Sequence, residues 1–200
     1  MIRSARSLGG YRVQAEDGAI GRVHDILFDD KKWIVRYLTI RTGGWLAKRE
    51  KLVSPIAVDR PDWSRQTLYV DLTVDQVKNS PDIEKDKPVS LQRQIELHHY
   101  FGWPPYWEEE AAALENEDSH LRSVLEVLNY RVQATDEEVG YVSDLLLDDG
   151  SWEIRYMAIK ARMWLPAKKV LVSPLWMQWV SWKEKKIYLD MPKEVVRNSP

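Results

Sequence analysis

Apolar and polar residues alternate over short stretches along most of the chain, with turn residues between them. Tyr11 to Ala15 alternates, and Glu16-Asp17-Gly18 follows as a turn, since Asp tolerates the bend and Gly supplies positive φ. Ile20 to Phe28 is mostly apolar, the pattern of a strand covered on both sides for part of its length. Asp29-Asp30-Lys31-Lys32 makes the next turn. In Trp33 to Arg41, Trp33, Val35, Tyr37 and Thr39 share one face and Ile34, Arg36, Leu38 and Ile40 the other. A strand is expected near Lys51 to Ser54, broken at Pro55 and continued by Ile56 to Val58. Arg60-Pro61-Asp62 reads as a turn and Thr67 to Asp71 as a last strand. Thr73 and Gln76 stand at the two positions of a capping box, which predicts a short helix reaching Asn79 and stopped by Pro81.

This pattern occurs twice. Aligning Tyr11-Arg12-Val13-Gln14-Ala15 with Tyr130-Arg131-Val132-Gln133-Ala134 carries the match without a gap to Asn79-Ser80-Pro81 against Asn198-Ser199-Pro200. Roughly 29 of about 71 positions are identical. Five or six short strands per copy predict a mainly β fold: two small antiparallel β-barrels in tandem, each with a short C-terminal helix. The expected division is a first repeat over 1–81, a connector over 82–120 and a second repeat over 121–200. In the connector, Ser90 to Tyr100 reads as a helix, followed by the aromatic and proline cluster Phe101-Gly102-Trp103-Pro104-Pro105-Tyr106-Trp107 and the acidic run Glu108-Glu109-Glu110.

The run Gly18-Ala19-Ile20-Gly21-Arg22-Val23-His24-Asp25-Ile26-Leu27-Phe28-Asp29-Asp30, followed by Trp33-Ile34-Val35-Arg36-Tyr37-Leu38, resembles the PRC-barrel domain family. So does Thr42-Gly43-Gly44-Trp45-Leu46 leading into Leu52-Val53-Ser54-Pro55. Val89 to Gln94 with Tyr100 to Trp107 is similar to the tail of bacterial stand-alone members. The resemblance implies a small β-barrel like the cytoplasmic part of the photosynthetic reaction centre H subunit and the C-terminal domain of a ribosome maturation factor. In both, the barrel is a docking module and not a catalyst. Neither the membrane helix of the one nor the N-terminal domain of the other is read in this sequence, so neither specific role is expected to transfer. The second copy departs from the pattern at Glu137, Arg162 and Met163, which stand where the first has Gly18, Gly43 and Gly44.

Composition narrows the function classes. The absence of cysteine excludes disulfides, thiol nucleophiles and Cys-ligated metals. A net charge of −2 and a pI near 6.1 disfavour nucleic-acid binding driven by bulk charge. No leader pattern and no membrane span is read from the sequence, so a cytoplasmic protein is expected. Ten tryptophans against two phenylalanines are unusual, and tryptophan is a residue of cores and interface anchors.

Duplication acts as a filter on candidate chemistry, because a residue kept in both copies more readily serves the fold. Asp25, Asp29, Asp30 and Asp71 recur as Asp144, Asp148, Asp149 and Asp190. Turn chemistry accounts for Asp29-Asp30 more simply than a divalent-cation site. His24 aligns with Ser143, and His98 and His99, as helix neighbours, point apart and chelate poorly. Ser54 and Ser173 precede prolines and form no nucleophile elbow. No catalytic residue, metal ligand or cofactor is therefore expected.

The candidate partner-binding residues are Trp45, Leu46, Trp164 and Leu165 of two basic loops, Tyr100, Phe101, Trp103, Tyr106 and Trp107 of the connector, and Trp176 and Trp179. The last two replace Ala57 and Arg60 of the first copy. They make an added apolar surface, either for the Tyr100–Trp107 tail or the other barrel, or for an external partner. The leading expectation is a non-enzymatic protein-interaction or assembly module with an unidentified protein partner, open to homo-oligomerisation through barrel or tail contacts. The alternatives are an RNA- or ribosome-associated factor using the Trp45 and Trp164 loops, and a small-ligand or metal-binding barrel.

Overall fold

The computed structural model describes residues 1–42, 49–82, 89–107, 120–161 and 169–200. In chain order the strands are β1 (Ile2–Ser4), β2 (Arg12–Gln14), β3 (Ala19–Asp29), β4 (Ile34–Thr42), β5 (Arg49–Val53), β6 (Val58–Asp62), β7 (Thr67–Val70), β8 (Leu121–Ser123), β9 (Arg131–Gln133), β10 (Glu138–Asp148), β11 (Ile154–Ala161), β12 (Lys169–Val172), β13 (Met177–Ser181) and β14 (Lys186–Leu189). They form two sheets of seven strands. One runs β5-β4-β3-β2-β7-β6 with β8 added on β3; the other runs β12-β11-β10-β9-β14-β13 with β1 added on β10. The fold is mainly β, in two barrel-like units. All pairings with a recorded register are antiparallel except β2–β7 and β9–β14, which are parallel.

Each repeat places its leading strand in the sheet of the other. The first unit comprises Leu8–Lys31 and Val35–Arg122; the second comprises Met1–Ser7, Lys32–Ile34 and Ser123–Pro200. The repeat therefore extends further toward the N-terminus than Tyr11/Tyr130, because Arg3-Ser4 and Arg122-Ser123 stand at the same offset. Within the first unit, the Asp30 amide donates to the His120 carbonyl at 2.9 Å and Arg122 Nε donates to the Asp30 carboxylate at 2.9 Å. Within the second, the Asp149 amide donates to the Met1 carbonyl at 2.9 Å and Arg3 Nε to the Asp149 carboxylate at 2.9 Å. The recurring Asp30 and Asp149 thus fasten a leading strand at both backbone and side chain. Desolvation opposes ionisation of Asp149, but the N-terminal ammonium and Arg3 outweigh it and hold the carboxyl below its usual range.

Local chemistry explains most other elements. The Val74–Asn79 helix carries the full capping box of Thr73 and Gln76. Its counterpart Lys193–Arg197 has Pro192 at the cap and no side-chain cap bond. Asp17 in the first copy and Asp136 in the second each accept at 2.8 Å from the amide that opens the helix, Val74 or Lys193, which in the second copy stands in for the missing side-chain cap. Asp29 Oδ1 accepts from the Lys31 amide at 2.9 Å, and Asp148 Oδ1 from the Gly150 amide at 2.9 Å, so both close the hairpin turn. Gly21 and Gly140 occupy crossings where a Cβ would stand 2.0 Å from the Arg41 carbonyl oxygen or 2.2 Å from that of Lys160. Only glycine allows these β-strands to approach so closely.

Two local expectations are corrected. Arg60-Pro61-Asp62 is not a turn but the end of β6, hydrogen-bonded to β7; the turn falls at 63–66, where Gln66 takes φ 51° and Asp62 accepts from the Arg65 amide. Pro61 is tolerated because β6 is the last strand of its sheet. Ile56 does not continue a strand: Pro55–Ala57 is a 3₁₀ turn started by Ser54, whose hydroxyl accepts from the Ile56 amide. Ser173 does the same for Leu175, so the recurring Ser-Pro step is a turn device.

Candidate docking surfaces

The connector folds onto the first unit. Ser90 caps the helix Leu91–Phe101, which ends at Gly102 in the left-handed conformation. Leu97 enters a buried cluster with Tyr37, Leu52, Val89 and Leu121, and Phe101, Trp103 and Tyr106 pack against it half-buried. Phe101 stacks on Trp103 with centroids 4.3 Å apart. Lys51, buried on β5, fixes the start of the connector: its ammonium donates to the Ser80 carbonyl and pairs with the Asp82 carboxylate at 2.7 Å. Val170 occupies that position in the second repeat.

Beyond the helix, the aromatic turn closes around His98. Its Nδ1 lies 2.9 Å from the Pro104 carbonyl oxygen, so the proton sits on Nδ1, and Nε2 is buried with no hydrogen-bond partner among the described residues. Tyr37, Trp103, Tyr106 and Trp107 all present rings to the imidazole, Trp107 at 4.8 Å between centroids. Desolvation holds the His98 pKa below its ordinary value, against the opposing pull of its backbone hydrogen bonds. The Arg36 guanidinium lies 3.9 Å from the Tyr106 ring centroid and is oriented by the Asp29 carboxylate at 3.1 Å. The Tyr106 hydroxyl donates to Gln94 Oε1, whose side chain is fully buried. The Tyr37 hydroxyl has no hydrogen bond of normal geometry, and burial, reinforced by the Tyr106 phenol, pushes its pKa well above the phenol range.

Of the connector's candidates, Trp103, Tyr106 and Trp107 are thus engaged with their own unit. Tyr100 remains exposed, although its hydroxyl donates to the Gln76 carbonyl at 3.0 Å. Trp45, Leu46, Trp164 and Leu165 lie outside the described residues.

On the second unit, Leu175, Trp176 and Trp179 are exposed. Trp179 lies flat on Tyr188 across the β13–β14 pair, with centroids 4.1 Å apart and planes 3° from parallel. The first repeat makes the corresponding pair from Arg60 over Tyr69, 4.6 Å from cation to centroid. Both pairs hold an exposed side chain flat against a β-strand, but the second presents indole where the first presents charge.

Arg60 and Tyr69 border an open cleft of about 640 Å³ with Glu16, Asp59 and Asp71. A hydrogen bond and charge repulsion from Asp71 raise the Glu16 pKa. No group of three or more His, Asp or Glu among the described residues is arranged to hold a metal ion, and no described helix is long and apolar enough to cross a membrane.

Two seven-stranded barrel-like sheets, turned by recurring Ser-Pro and Asp devices, define a duplicated small-barrel protein. The model of the PRC-barrel domain matches residues 2–78 and again 123–196, and the chain belongs to that family. The first match begins with β1, and the second begins at Ser123, the last residue of β8. A sequence comparison with curated proteins returned no match. Membership suggests a domain of general protein-interaction type, without specifying a process.

Proposed function

We propose that the chain is a non-enzymatic assembly module that binds a protein partner through the exposed aromatic strip of its second barrel. One observation carries this reading: where the first repeat has Ala57 and Arg60, the second exposes Trp176 and Trp179 beside a protruding Leu175. Tryptophan held flat on a strand loses little conformational freedom on binding, which is the property of an interface anchor. The expected partner offers an apolar pocket or a complementary aromatic surface.

The test is affinity capture with the intact chain and with a Trp176→Ala/Trp179→Ala variant of unchanged thermal stability. A stoichiometric partner retained by the first and lost by the second supports the reading. The same partners recovered with both chains refute it.

A further inference from the structure

The duplication presents one barrel face in two states. In the first unit, Tyr37 is 0% exposed and Leu121 5%, because residues 89–106 cover them. At the same offset in the second unit stand Tyr156, 39% exposed, and Ile2, 47% exposed. Leu146 and Leu171, the counterparts of Leu27 and Leu52, are half-buried beside them. Arg155 takes the place of Arg36, but it extends to solvent and, among the described residues, pairs with Glu153 at 2.5 Å. A surface ion pair of that kind is worth little and yields readily.

We propose that the Tyr156 face of the second barrel is a docking site for a segment of a separate partner protein: an amphipathic helix running into an aromatic-proline turn. The occupant's chemistry is given by the first barrel, where the same residue types are covered by such a segment. Leu97 fills the cluster over Tyr37, and the Tyr106 ring lies on Arg36. On the second barrel, a leucine or similar residue would cover Tyr156 and Ile2, and an aromatic ring would lie on Arg155. A separate protein is favoured over a second copy, because each copy's own segment is engaged on its own Tyr37. The site is distinct in residues from the Trp176/Trp179 strip.

The probe is a synthetic peptide of residues 89–107, titrated into the intact chain by calorimetry. Saturable binding with one site per chain is expected, weakened at least tenfold by Tyr156→Asp and by Arg155→Glu and unchanged by Trp176→Ala/Trp179→Ala. Both altered side chains are exposed, so the two variants guard each other against misfolding. Absence of saturation overturns the proposal. So does binding unaffected by either variant, which would place the peptide on the first barrel. Sedimentation equilibrium supplies the remaining outcome: a dimer of the intact chain abolished by Tyr156→Asp would assign the face to a second copy and overturn the separate-partner assignment.

Discussion

Replacing Asp30 with asparagine should loosen one leading strand far more than the same change at Asp149 loosens the other. Both carboxylates accept from the arginine of an incoming strand at 2.9 Å, but the Arg122 side chain is 11% exposed and that of Arg3 30%. Removing one partner of a buried pair costs about 3–5 kcal/mol, because the other charge is left desolvated, whereas an exposed pair is worth about 0.2–1 kcal/mol. Asparagine keeps the shape and one acceptor, so Asp30→Asn should cost about 2–3 kcal/mol and Asp149→Asn about 1 kcal/mol. Hydrogen exchange read by mass spectrometry on residues 120–123 and 1–4 reports the two strands separately. At about 1.4 kcal/mol per tenfold, exchange of residues 120–123 should quicken roughly 30- to 150-fold in Asp30→Asn, and that of residues 1–4 about fivefold in Asp149→Asn. Equal effects, or less than a twofold change in Asp30→Asn, would refute the assignment of Asp30 to strand fastening. So would a chelator that reproduced the substitution in the unaltered protein, since that would make the carboxylate a metal ligand.

Two further outcomes concern the connector. Tyr106→Phe keeps the ring on Arg36 but leaves the buried Gln94 Oε1 without its donor, which should cost about 1–3 kcal/mol; exchange across 89–107 should rise while denaturation of the second barrel stays unchanged. Acid should release the same segment. His98 has a lowered pKa, so its neutral form contributes stability that is intact above the ordinary imidazole value of about 6.5 and declines as pH falls from there toward the folded-state value. The groups facing it are the Arg36 cation and the Tyr37 and Tyr106 phenols, which stay neutral throughout that range. Exchange of residues 89–107 at pH 5 against pH 7.5 checks this, and His98→Asn should flatten the dependence.

Much of this architecture is local in origin and is therefore written in the sequence. A mostly apolar run marks β3 and two alternating faces mark β4, the Asp-containing turns close their hairpins, Thr73 and Gln76 start a helix, and the offset from Tyr11 to Tyr130 counts the units. Each needs only residues a few positions apart, or a comparison of the chain with itself. The turn expected at 60–62 was corrected because the deciding fact there is not local. Pro61 signals a turn on average, and only its place on the last strand of a sheet makes it a strand residue.

The tertiary structure decided the rest, because it depends on which surfaces meet across long separations. Ile2-Arg3-Ser4 and Leu121-Arg122-Ser123 are too short to announce themselves as strands. Their exchange rests on pairing Asp30 with Arg122 and Asp149 with Arg3, positions 92 and 146 residues apart. Tyr37 and Tyr156 are the same residue in the same pattern, and no periodicity separates them. One lies under the connector and the other faces solvent, since burial belongs to what packs over a residue and not to the residue itself.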